Sequence, residues 1–193
     1  MKKKYIFNDQ INLEEYFLYV SSPASKSKKK FLQRNNCIEN SYNEEIADFD
    51  YISMVTKERV EGKLTLITKC SFVKFGAPLI VLTDDLRLLD DGTYQYGVHF
   101  EIVAYENGCN VWHIVPGLGQ EAIKVTKVNS KEFLVKENSI IEIKLTIEGK
   151  RLYIQINDQQ ITAEHEEIPE KMHVGITACE GINQFYELEV DKS

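Results

Sequence analysis

No run of apolar residues in this 193-residue chain approaches the roughly 18 that a membrane span requires, so no spanning helix is read. The basic start, Met1 to Lys4, leads into Tyr5-Ile6-Phe7-Asn8-Asp9 without the apolar core or small-residue cleavage site of a secretory signal, and the cytoplasm is the expected location. Basic charge is in short supply: 23 Lys and Arg against 30 Asp and Glu leave a net charge of −7. That excludes a general nucleic-acid binder and an anionic-membrane binder, since both need a basic face. Cysteine is sparse and scattered, at Cys37, Cys70, Cys109 and Cys179, with no C-x-x-C pair and no His at finger spacing. In a reducing compartment such residues are small buried thiols. The nucleophile elbow G-x-S-x-G, the P-loop, the dinucleotide fingerprint and H-E-x-x-H are all missing, which weighs against the chemistries they carry, although Ser–His–Asp chemistry can be built without a local motif.

What is present reads as β-structure. Apolar residues at 43% and charged residues at 27% are ordinary for a globular chain, and the length suits one β-domain with a substantial core. Ile141, Ile143, Leu145 and Ile147 alternate with Glu142, Lys144 and Thr146, the period of a half-buried strand. Glu148-Gly149-Lys150 turns the chain into Leu152, Ile154 and Ile156, and Asn157-Asp158 turns it again towards Gln160–Thr162, making a meander. Further strands are expected at 64–72, 79–83, 121–128, 172–179 and 185–190. Residues 97–105 and 110–115 form a hairpin around Glu106-Asn107-Gly108. Residues 13–20 fit a helical turn or a strand. The polar, Lys-rich segment 21–30 reads as a solvated loop. No repeat or linker divides the chain, so one domain is drawn over 1–193, with 1–50 as a leading segment of unread role. The expected fold class is all-β: about ten to thirteen short strands with Gly and Asn turns suit two stacked antiparallel sheets better than a small closed barrel.

The meander at 143–156 followed by Asn157-Asp158, the segment Val174-Gly175-Ile176-Thr177-Ala178 with Phe185–Val190, and the block Tyr96–Tyr105 together resemble, in pattern and order, the concanavalin A-like lectin/glucanase jelly-roll superfamily over about residues 64–190. With the expected location, the resemblance implies an intracellular branch of it. The resemblance implies a two-sheet jelly roll whose central strand lines a concave groove. By alternation, Phe100, Ile102 and Ala104 face the core, while His99, Glu101, Val103 and Tyr105 face the other way. On the partner strand, Asn110, Trp112 and Ile114 share one face, and Val111, His113 and Val115 the other.

These residues carry the candidate chemistry. His99 and Glu101, about 7 Å apart at i, i+2, form an acid–base pair or orient a sugar hydroxyl. Trp112, the only tryptophan, is either a stacking platform for a pyranose or a core residue, and Asn110 and Tyr105 stand ready beside it. His113 reads as a structural histidine. Glu180 and Asn183 flank Gly181 in a turn and either reach a ligand at the rim or only shape the turn. Asp84, Asp85, Asp90 and Asp91 are the weak candidates for a calcium ion, although their spacing fits no EF-hand; otherwise no cofactor is expected.

The glucanases of the resembling superfamily carry E-[IL]-D-x-E or E-[IL]-D-x-x-E. Glu101-Ile102 matches the opening, but Val103 replaces the Asp and Tyr105 takes the next same-face position. A retaining mechanism needs two carboxyls about 5–5.5 Å apart, and this strand offers one. The expectation is therefore a non-catalytic carbohydrate-binding, lectin-like module. The alternatives are a hydrolase or lyase using Glu101 and His99, and a protein-interaction domain that dimerises through a sheet face. The expected partners are a carbohydrate ligand and a second copy of the chain, with neither nucleic acid nor membrane.

Overall fold

Period-two patterning becomes two stacked sheets in the computed structural model, which describes residues 2–22, 29–43, 48–49, 51–117 and 123–192. The eight-stranded sheet runs Gln159–Glu164, Arg151–Ile156, Ile141–Glu148, Leu64–Val73, Ile182–Lys192, Cys37–Glu39, Leu32–Arg34, with Lys2–Ile6 also paired to Ile182–Lys192. The ten-stranded sheet runs Leu86–Leu88, Tyr94–Tyr96, Phe17–Ser21, Ile52–Thr56, Lys171–Ala178, Pro78–Thr83, His99–Tyr105, Gly108–Val115, Lys124–Glu132, with Val60–Glu61 paired to Lys171–Ala178. A short ribbon joins Tyr42–Asn43 to Asp48–Phe49. This is the expected two-sheet jelly roll.

The two sheets bury different amounts of themselves. In the eight-stranded sheet, Ile141–Glu148 and Arg151–Ile156 alternate buried and more exposed residues. Its outer face meets water with ion pairs, Lys4 to Glu187 at 2.8 Å and Lys69 to Glu187 at 3.1 Å. In the ten-stranded sheet, Ile52–Thr56 and Pro78–Thr83 are buried at every position. The main core lies between the sheets and includes Leu66, Phe72, Ile143, Leu145, Ile80, Phe100, Ile102 and Ile176. A second cluster of Val20, Val55, Leu79, Val81 and Tyr96 occupies the other face of the ten-stranded sheet.

That second cluster corrects one expectation. The face read as a concave groove is apolar and covered over its middle, and Val103 packs against the cluster. The strand count is also higher, twenty among the described residues. The additional strands include two- and three-residue pairings such as Val60–Glu61 and Leu32–Arg34, too short to show a period. Segment 13–20 is both things expected of it: a helical turn at Leu13–Tyr16 runs into the strand Phe17–Ser21. Residues 23–28 of the expected Lys-rich loop and 121–122 of the expected strand at 121–128 lie outside the described residues, and that strand is Lys124–Glu132.

The sheets are tied at both sides. Along one edge, the Asn129 side-chain amide donates to the Thr162 carbonyl at 2.5 Å and Lys131 Nζ to the Gln160 carbonyl at 3.0 Å. At one end, the chain passes from Lys171–Ala178 in one sheet to Ile182–Lys192 in the other through Gly181, at φ +61°. A Cβ on Gly181 would lie 2.3 Å from the Lys74 carbonyl oxygen and 2.5 Å from the Gly76 nitrogen. Both conformation and space therefore demand glycine. Gly181→Ala is expected to destabilise the protein by about 3 kcal/mol or more. Urea unfolding reads this directly, and a loss below about 1 kcal/mol would show that the crossover relaxes freely.

Candidate functional site

Directly opposed residues in a sheet share a face. The registers therefore line up Val81, Glu101, Trp112 and Lys127 in one row across four neighbouring strands, on the face away from the main core. The row to one side holds Thr83, His99 and Ile114, and the row to the other holds Leu79, Val103 and Asn110. The structure thus brings together His99, Glu101, Asn110 and Trp112, as the alternation implied.

Glu101 is only 9% exposed. A carboxylate so placed needs partners, because an unpaired buried charge is costly. Tyr51 donates its hydroxyl to Glu101 Oε1 at 3.0 Å. Burial and the neighbouring carboxylate push the Tyr51 phenol well above its usual range, so it stays protonated as the donor. His99 Nε2 lies 3.6 Å from the same oxygen, just beyond hydrogen-bond reach. His99 Nδ1 is 2.8 Å from the Gly97 carbonyl oxygen, which assigns the donated proton to Nδ1. The ring is fixed from above by Tyr96, stacked at 4.7 Å and 26°. The Tyr96 hydroxyl meets Ser53 Oγ, which in turn meets Thr177 Oγ1, each at 2.5 Å.

Two buried polar atoms here, His99 Nε2 and Asn110 Oδ1, have no hydrogen-bond partner among the described residues. Each such group costs roughly 1–3 kcal/mol of stability. Both stand on the face that carries Glu101, while Trp112 beside them is half-buried and presents ring surface. Lys127 Nζ sits 4.9 Å from the Trp112 ring centroid, a cation–π contact.

The remaining candidates lie elsewhere. Tyr105 is on the same face but opposite Gly108 at the hairpin end, about 14 Å along the strand from Glu101 by strand rise. Glu180 and Asn183 belong to the crossover between sheets. Asn183, fully buried, donates its side-chain amide to the Glu180 carbonyl at 2.7 Å, and its backbone N–H to Asn40 Oδ1 at 2.8 Å. Its amide is spent on the turn, so the structure does not bring it to the site. Two of the four aspartates hold turns: Asp85 Oδ2 accepts from the Val98 N–H at 3.0 Å, and Asp91 Oδ1 from the Thr93 N–H at 3.0 Å and its hydroxyl at 2.6 Å. Among the described residues, no three His, Cys, Asp or Glu side chains gather as a metal ion would need. Asp84, Asp85, Asp90 and Asp91 are thus not assembled into a cation site.

Sequence reasoning missed Tyr51, Tyr96 and Lys127. Tyr51 was within reach, since Tyr51, Ser53 and Val55 alternate with Ile52, Met54 and Thr56. Lys127 depends on a strand irregularity that has no local signature. His113 has the structural role expected of it. It faces the main core, stacks on Phe100 at 4.7 Å, sits 4.3 Å from His165, and places Nε2 3.0 Å from Glu167 Oε2.

Burial, and for His113 the neighbouring His165, hold the pKa values of His113 and His173 below the ordinary 6.5. Both rings are neutral in the folded protein, and the unfolded chain binds more protons between the folded values and 6.5. Their contribution to stability is therefore complete above 6.5 and is lost as pH falls below it. Unfolding midpoints measured from about pH 7.5 to about pH 5.5 should fall, and the decline should be shallower in His113→Gln/His173→Gln. An equal slope in that variant would place the effect on other groups.

No family model matches the sequence, and no curated protein matches it. Solved structures do. β-Agarase B from Zobellia galactanivorans superposes with a TM-score of 0.64 at 7% identity, covering 92% of this chain and 85% of that one. A Bacillus subtilis protein of unknown function with a galectin-like fold gives 0.64 at 7% identity, covering 98% and 97%. The carbohydrate-binding module CBM66 from Bacillus subtilis gives 0.54 at 10% identity, covering 76% and 87%. The chain therefore has the concanavalin A-like jelly-roll fold. Among solved structures that fold carries both carbohydrate-binding modules and polysaccharide-cleaving enzymes.

Proposed function

We propose that the protein is a non-catalytic, lectin-like carbohydrate-binding module. The observation that carries this reading is the row Glu101–Trp112 with its two unpartnered polar atoms, His99 Nε2 and Asn110 Oδ1. A pyranose laid on the indole offers its C–H face to the ring and its hydroxyls to these atoms. Among the described residues, one carboxylate stands on this part of the sheet, whereas a retaining glycosidase needs a pair about 5–5.5 Å apart. The CBM66 and β-agarase likenesses support the carbohydrate part of the reading, since the fold is shared with both.

A second reading rests on the Tyr51–Glu101–His99 cluster. A carboxylate with a phenol at 3.0 Å and an imidazole at 3.6 Å is an acid–base assembly, and it would serve a hydrolase or lyase.

The test is a thermal-shift screen of neutral, acidic and phosphorylated sugars, with and without Ca²⁺. A ligand at ten times its dissociation constant adds about 1.4 kcal/mol, or about 3–6 °C for a domain of this size. A shift is expected that vanishes in Trp112→Ala, with no turnover of the bound sugar. Turnover abolished in Glu101→Gln would establish the enzyme instead. A flat screen on folded protein would overturn both, and would point to an interaction domain that self-associates through a sheet face.

A further inference from the structure

The row that holds Glu101 and Trp112 ends on the edge strand Lys124–Glu132, and that strand is irregular at this point. Val111 pairs with Asn129, but its neighbour Trp112 pairs with Lys127, so the edge strand carries one extra residue, Val128, in a bulge. In an unbroken ladder Val128 would stand opposite Trp112. The bulge instead lets Val128 pack against the main core and sets Lys127 beside the indole, with Nζ 4.9 Å from the ring centroid. Bulges re-aim side chains at functional sites in just this way. The neighbouring Lys131 is placed differently, with its ammonium spent on the Gln160 carbonyl of the other sheet.

The result is a three-part row on adjacent strands about 4.8 Å apart: a buried carboxylate held by Tyr51, an aromatic platform, and an exposed ammonium. The chain carries a net charge of −7, so its overall field repels anions, and a positive charge at the platform acts locally.

We propose that Lys127 makes this site selective for acidic saccharides, those carrying a carboxylate or a sulfate. The inference rests on the carbohydrate-binding reading of the same face. The sugar ring lies on Trp112, its anionic substituent pairs with the Lys127 ammonium, and its hydroxyls turn towards Asn110 and the His99–Glu101 pair. The ammonium leaves the indole face when the anion arrives, and this costs little because exposed cation–π contacts are weak.

The experiment is isothermal titration of the whole chain with matched oligosaccharides: oligoglucuronate against the glucose oligomer of the same linkage, and a sulfated galactose oligomer against its unsulfated parent. The acidic member of at least one pair should bind about two- to fivefold tighter, the range of a single exposed ion pair. Lys127→Ala should bring it down to the neutral partner's affinity, and Lys127→Arg should restore most of the difference. Raising NaCl from about 0.05 M to about 0.5 M should weaken only the acidic ligands. Lys57→Ala, at an exposed lysine in the bend that follows Ile52–Thr56, should change nothing. Which pair shows the preference identifies the anion as carboxylate or sulfate. Equal affinity within both pairs, or an acidic preference that survives Lys127→Ala, overturns the inference. Neutral binding lost in Trp112→Ala but intact in Lys127→Ala leaves the carbohydrate reading standing without it. Binding by none of the four oligomers takes both down.

Discussion

A sheet covered on both faces has to sort its polar residues, and the ten-stranded sheet shows how. Its central strands bury nearly every side chain: one face joins the main core, and the other carries Val20, Val55, Leu79, Val81 and Tyr96. Polar atoms on that second face must either pair among themselves or collect where the covering thins. Ser53, Thr177 and Tyr96 take the first course, in a closed chain of hydroxyls. Glu101 and Asn110 take the second, His99 is enclosed next to them between the Gly97 carbonyl and the Tyr96 ring, and the half-buried Trp112 stands beside them.

This division explains why Glu101 is at once buried and addressable. A carboxylate at 9% exposure is sustained because Tyr51 donates to it from a residue that leads into the next-but-two strand. His99 is locked between the Gly97 carbonyl and the Tyr96 ring, so its free nitrogen cannot turn away to find another partner. The geometry is held by packing rather than by flexible side chains, which is the condition for recognising hydroxyls without a large ordering cost.

Much of this was readable from alternation alone. The meander from Ile141 to Ile161, the hairpin between His99 and Val115, and the sharing of one face by His99, Glu101, Asn110 and Trp112 all follow from period-two placement. Three things were not readable, each for a physical reason. The covering of the outer face comes from residues far apart in sequence, such as Val20 and Tyr96, whose meeting depends on a parallel pairing between Phe17–Ser21 and Tyr94–Tyr96. Asn183 was open between a rim ligand and a residue that shapes the turn, and the choice depends on the crossover folding inward, where Asn40 accepts its backbone N–H. Lys127 looked like any exposed lysine, because the bulge that aims it is a property of the pairing and not of either strand.

The two halves of the Glu101–Trp112–Lys127 row are held to very different standards. Glu101 stands on a strand packed on both sides, where a change of one methylene is felt throughout the core. Lys127 stands on an outermost strand whose residues are nearly all exposed, and substitutions there rarely move stability by more than about 0.5 kcal/mol. Descendants of this sequence could therefore exchange the residue beside the indole freely while the carboxylate stays fixed. On the proposed carbohydrate-binding reading, preference for one sugar over another drifts within a lineage without a compensating change in the fold.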